Sequence, residues 1–118
     1  MGDRIPPVLR YGHVELRVVR LSADELHKLN NEKPGSGDAI SGYHDTQDTT
    51  IAVANSNDIR PVRAWSVLLH EFFHEAEDQA GLELKETLID WAAWSMLNML
   101  LSNPELQGLM LADLGGDE

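Results

Sequence analysis

Cysteine is absent from this chain of 118 residues. Disulfides and thiolate metal sites are therefore excluded, and a reducing compartment is the expected setting. Any metal ion would have to be held by imidazole and carboxylate groups. Basic residues are scarce in the second half: residues 64–118 hold 11 acids and one base, Lys85, whereas residues 1–63 hold 9 acids and 8 bases. With a net charge of −11, the surface repels phosphate backbones and anionic lipid headgroups, so neither nucleic acid nor a membrane is an expected partner. Such a field attracts cations, although solubility alone also accounts for an acidic surface. The N-terminus shows no basic segment followed by an apolar stretch and a small-residue cleavage site, so a cytoplasmic location is expected. No uninterrupted apolar run reaches the roughly 18 residues of a membrane span. The longest candidate, within residues 84–102, contains Asp90 and lacks basic flanks.

A chain of this size can bury a core without a staple, and one domain spanning residues 1–118 is expected. Residues 11–21, YGHVELRVVRL, alternate Val14, Leu16 and Val18 with His13, Glu15 and Arg17, the period of a strand covered on one face. Ser22 stands three residues before Glu25, a capping box that starts a short helix reaching about Asn30. Residues 31–45, rich in Gly, Ser, Asp and Pro, read as an exposed loop. The β-branched run TTIAVA at 49–54 reads as a second strand.

Pro61 then suits a helix N-terminus, and Trp65, Leu68, Leu69, Phe72, Phe73 and Ala76 recur at helical spacing until Gly81. The spacing predicts about 20 residues, or roughly 30 Å. After GLEL, the segment KETLIDWAAWSMLNMLL is apolar nearly all round and reads as a buried or interface helix. Asn103 and Pro104 end it, PELQGLMLADL forms a last short helix, and the tail GGDE is expected to fray.

Within the longest amphipathic helix lies HEFFH, residues 70–74. In a chain of this composition the pattern arises by chance roughly 0.02 times. Positions i and i+4 share one helix face, so His70 and His74 can reach one ion, while Glu71 is displaced toward a bound water. Leu68, Leu69, Phe72 and Phe73 would bury the opposite face and hold the helix rigid. The plainer reading of the five residues is a polar stripe of His70, Glu71, His74, Glu75 and Asp78. A catalytic zinc needs three protein ligands, however, and the next helix offers Glu86 and Asp90 on one face. Asp90 lies within LIDWAAW, where an ionised carboxylate is costly without a cation or hydrogen-bond donors. Glu86 is assigned to the metal and Asp90 to orienting a ligand histidine. In a tight hairpin around Gly81, Asp90 would stand nearer the level of His74, and the two roles would exchange.

HEFFH followed by ETLID resembles the gluzincin zinc peptidases. The wider frame, about residues 40–106, resembles small phage or prophage metallopeptidases and the zincin-like domain of the ImmA/IrrE type; SGYHDTQDTTIAVA, LLHEFFH, AGLEL and LSNPEL carry that likeness. The interval from His74 to Glu86 is shorter than in most gluzincins. The resemblance implies a small zincin-like α+β domain, with a short antiparallel sheet packed on the HExxH helix and on the apolar helix after it. It implies Zn2+ held by His70, His74 and Glu86, with Glu71 as general base, Asp90 on a ligand histidine, and TTIAVA beside the helix to pair with an extended substrate.

The expected activity is hydrolysis of peptide bonds in a protein or peptide substrate. Zinc would acidify a water and polarise the carbonyl, and Glu71 would carry the proton to the leaving amine. For the oxyanion, Tyr43, His44, Arg60 and Arg63 are candidates, each also readable as a plain loop or surface residue. His13 and His27 have no partner at ligand spacing, and no metal role is expected of them. The alternative is a metal-bound, non-hydrolytic zincin-like interaction module, a phage accessory protein, suggested by Trp91 and Trp94 on a helix that a small domain does not fully cover. A homo-oligomer through the apolar helix 84–102 would then be expected.

Overall fold

The computed structural model describes residues 3–32, 42–45 and 47–115. Its chain order is β1 (Val8–Tyr11), β2 (Val14–Leu21), α1 (Ala23–Glu32), β3 (Gly42–Asp45), β4 (Thr50–Ala54), α2 (Pro61–Ala80), α3 (Glu86–Ser102) and α4 (Leu106–Leu114). This is an α+β architecture, as expected. The capping box forms, with the Ser22 N–H donating to Glu25 Oε1 at 2.8 Å and the Glu25 N–H donating to Ser22 Oγ at 3.1 Å. The Ser22 N–H, with the Ser22 hydroxyl behind it, holds the Glu25 carboxyl below its ordinary value. The expected loop at 31–45 is corrected in part. Residues 33–41 lie outside the described ones, as does most of the GGDE tail, but Gly42–Asp45 is a strand.

Sheet order is β1-β2-β4-β3. The sheet is mixed rather than antiparallel: β1–β2 and β3–β4 are antiparallel, while the central β2–β4 pair is parallel. The reason is the connection, since β2 and β4 are joined through α1 and β3, and a helix can return the chain for parallel pairing where a tight turn cannot. Of the strand expected over 11–21, Val14–Leu21 forms as β2, while Tyr11 belongs to β1; the two strands make a hairpin in which Tyr11 pairs with Val14 across the turn at residues 12–13 and Val8 pairs with Arg17. The expectation that TTIAVA offers an open edge is also corrected. Strand β4 is hydrogen-bonded on both sides, and the sheet edges belong to β1 and β3.

Strand alternation distributes the core over both faces. Ile51 and Val53 join Leu16, Val18, Ala64, Val67 and Leu68 between the sheet and α2. Ala52 and Ala54 join Leu26 and Tyr43 between the sheet and α1. At the end of β2, Arg20 grips the Asp3 carboxylate at 2.5 and 2.9 Å and the Ala54 carbonyl at 2.7 and 2.9 Å. The guanidinium holds the Asp3 carboxyl below its ordinary value.

Helix α2 is capped by Gly81 at φ +70°, whose N–H donates to the Asp78 carbonyl while the Leu82 N–H donates to the Glu77 carbonyl. This is the paired closure of a helix ended by a left-handed residue. Helix α3 then packs back along α2 through Ile89, Ala93 and Leu97, one position per turn and all buried. No helix among the described residues is long and apolar enough to cross a membrane.

Gly42 sets how closely β3 approaches α2. A Cβ there would collide with Val67 Cγ1 and press on the Ala52 carbonyl at 3.1 Å and on Glu71 Oε2 at 3.3 Å. Gly42→Ala is therefore expected to cost about 1–3 kcal/mol, the usual range for overfilling a packed interface. Urea unfolding of the two chains measures it, and equal midpoints would show that the contact yields freely.

Candidate metal centre

Helix α2 lies between the sheet and α3, so its polar stripe faces protein on both sides. This reverses the expected arrangement. Glu71, His74 and Glu75 are buried, whereas of the four apolar residues expected to be buried only Leu68 is; Leu69, Phe72 and Phe73 are half-buried. Phe72 instead meets Tyr11 edge to face, with ring centroids 5.6 Å apart.

On the side facing α3, three donors converge. His70 Nε2 and His74 Nε2 are 3.3 Å apart, and the Glu86 carboxylate reaches both, with Oε2 2.7 Å from the first and Oε1 3.2 Å from the second. These three residues could hold a metal ion. In a tetrahedral zinc site with bonds near 2.0–2.1 Å, neighbouring donors stand roughly 3.3 Å apart; the contacts of His74 Nε2 match that spacing, the His70–Glu86 contact is shorter, and the N, N, O donor set is one that zinc accepts. The opposite ring nitrogens are held as well: His70 Nδ1 is 3.3 Å from Asp90 Oδ1, and His74 Nδ1 is 3.1 Å from Glu77 Oε1.

In this geometry Glu86, not Asp90, stands level with the histidine pair. Residues 82–85 link the helices and α3 packs back along α2, so Glu86 meets both histidines and Asp90, one turn on, meets His70. Asp90 is not buried, against the expectation from its apolar neighbours in sequence. Its side chain is 57% exposed, because the buried stripe of α3 is Ile89, Ala93 and Leu97, and Asp90 sits beside that stripe rather than in it.

A cavity of about 230 Å³ opens next to the donors, lined by Arg63, Ser66, His70, Glu71, Glu86 and Asp90 among others. Glu71 thus shares a cavity with two of the three converging donors. Of the oxyanion candidates, only Arg63 lines it. Tyr43 is excluded by strand alternation, since it packs with Leu26 on the α1 face of the sheet. His44 points to the α2 face but is engaged behind His74: its Nε2 is 2.7 Å from Glu75 Oε1, and the two imidazole rings lie near parallel with centroids 6.4 Å apart. Arg60 borders a different surface depression, with Ser56, Asp58 and Pro61. His13 and His27 are exposed, on the β1–β2 turn and on α1.

Two features escape the sequence reading. One is Glu77, for which the signal is its place one turn after His74. The other is the buried group formed by His44, Glu75 and Asp78, which also could hold a metal. Gln79 Nε2 donates to Glu75 Oε2 at 2.6 Å, and His44 Nδ1 stands 3.9 Å from Asp78 Oδ2. The two carboxylates address opposite nitrogens of one ring. One ion cannot draw on both nitrogens, so the arrangement fits an imidazole hydrogen-bonded to Glu75 better than a metal site. No sequence signal marks it, because His44 comes from β3 and the acids from α2.

No model of a known protein family, no curated protein and no solved structure matches the chain.

If the three converging donors hold zinc, protein purified without chelator carries about one zinc per chain. Glu86→Ala should release most of it, whereas Asp90→Asn should weaken binding about 10- to 100-fold, the usual effect of removing a carboxylate behind a ligand imidazole. Equilibrium dialysis with metal analysis measures all three proteins. Full retention in Glu86→Ala would remove that residue from the ligand set.

Proposed function

We propose that this chain is a zinc-dependent peptidase that hydrolyses peptide bonds in a protein or peptide substrate within the cytoplasm. The observation that carries this reading is the convergence of His70 Nε2, His74 Nε2 and the Glu86 carboxylate within 3.3 Å of one another, at a cavity that Glu71 also lines. A zinc ion bound there supplies a water acidified toward neutrality and a Lewis acid for the scissile carbonyl.

The chain's own residues supply the rest. Glu71 accepts a proton from the attacking water on its carboxylate and returns it to the leaving amine. Burial between β3 and α2 keeps that carboxylate in one place, so the proton transfer needs no search. The Asp90 carboxylate on His70 Nδ1 favours the tautomer that leaves Nε2 unprotonated toward the donors. Arg63 places a cation in the same cavity, suited to a developing oxyanion or a substrate carboxylate. Among the described residues, the sheet edge beside α2 that an extended peptide could join is that of β3.

Glu71→Gln keeps the shape of the side chain and removes its basicity. It is expected to retain zinc and lower the hydrolysis rate about 100- to 10,000-fold, the usual contribution of a general base. Single-turnover cleavage of a peptide library, read alongside zinc content, distinguishes this from loss of the site. Undiminished hydrolysis would remove Glu71 from the role.

A second reading, a non-hydrolytic interaction module, is favoured by the apolar surface of α3 and α4. Trp91 is 66% exposed, Leu101 64% and Leu114 70%, and no residue of α4 is buried. Exposed apolar area of this kind marks contact surfaces. This reading predicts a homo-oligomer through helix 84–102 and no cleavage of any library member. Light scattering of the wild-type chain and of Trp91→Glu would then show an assembly and its loss, with zinc content unchanged; a wild-type monomer would count against it.

A further inference from the structure

We infer that Glu77 is a positioning residue: its carboxylate fixes the ring orientation and tautomer of His74 and ties that ring to the link that delivers Glu86. The inference deepens the zinc reading and rests on it. The side chain is only 11% exposed, and each of its oxygens has its own donor. Glu77 Oε1 stands 3.1 Å from His74 Nδ1, and Glu77 Oε2 accepts the N–H of Leu84. Its backbone carbonyl accepts the N–H of Leu82 at 3.0 Å in the turn closed by Gly81. One residue of α2 therefore holds residues 82 and 84 of the link, and α3 begins two residues later with Glu86.

A carboxylate is an acceptor only, so Glu77 draws the proton of a neutral His74 ring to Nδ1, whereas Glu86 Oε1, 3.2 Å from Nε2, draws it toward Nε2. A metal ligand needs Nε2 unprotonated, and Nε2 is the atom that faces His70 Nε2 at 3.3 Å, so Glu77 favours the binding tautomer. Glu77 approaches the nitrogen that points away from those donors, so it cannot share an ion with them and acts through His74. Neither obvious replacement can do both tasks: glutamine has one acceptor oxygen for two donors, and aspartate is shorter by a methylene.

The test uses the full chain and a Glu77→Gln variant, with thermal unfolding to establish that the variant folds. In the metal-free proteins at mildly alkaline pH, nitrogen NMR of the imidazoles reads the tautomer of His74. Glu77→Gln is expected to carry more of the His74 proton on Nε2 than the wild type does. Zinc affinity, measured by competition with a chromophoric chelator, is expected to fall about 10- to 100-fold in the variant.

An unchanged tautomer population in Glu77→Gln would overturn the inference, because a residue that only braced the link could weaken zinc binding without moving that proton. Equal zinc affinities would also overturn it. A wild-type chain that takes up no zinc defeats the peptidase reading instead, and the tautomer measurement then decides by itself whether Glu77 holds His74.

Discussion

The reversal of the chain after α2 is the constraint on which the site depends. Gly81 takes a left-handed conformation at φ +70° and closes the helix with two hydrogen bonds. Such a conformation strains residues with a Cβ, which is why glycine commonly ends helices this way. From there, residues 82–85 run extended back along α2, and the first turn of α3 arrives beside the histidine pair. The contact is then held by Ile89, Ala93 and Leu97, a stripe only one residue wide. If the reversal were looser, Glu86 would lose its registration against two imidazoles that α2 alone already aligns.

The same arrangement explains why α2 carries carboxylates on its inner side. Glu71 and Glu75 are fully buried, a placement that costs several kcal/mol for an ion without compensation. For Glu75 the compensation is visible, with His44 on one oxygen and Gln79 on the other. Gly42 and His44 alternate with Tyr43 on β3, so the edge strand faces α2 with a glycine that admits the Glu71 side chain and an imidazole that pairs Glu75. The four residues of β3 thus accommodate two carboxyl groups of the helix.

Much of the frame could be read from particular residues. The Ser22–Glu25 spacing marked the start of α1, Pro61 and Gly81 marked both ends of α2, and the apolar run after Lys85 marked α3. Local chemistry decides these features, so they survive without tertiary information. Strand β3 was invisible because Gly-Tyr-His-Asp has no strand signature; β4 imposes it by pairing Tyr43 with Ala52 and His44 with Ile51. The parallel pairing of β2 with β4 was hidden for a similar reason, since it follows from the route of the chain and not from either strand.

At the site, helical periodicity was enough to place His70 and His74 on one face and Glu86 and Asp90 on another. It could not say how the two helices would meet. The inference that Asp90 must be buried came from its apolar neighbours in sequence, yet burial depends on which stripe of α3 packs, and that stripe passes one position away. The role of Tyr43 was misjudged because strand alternation turns it away from the cleft. Sequence by itself determined which groups exist and which share an element's face, because those relations follow from a fixed rise and rotation per residue. Only the tertiary structure decided which faces meet, because the angle and level of α3 against α2, and of β3 against both, are set by packing among residues far apart in the chain.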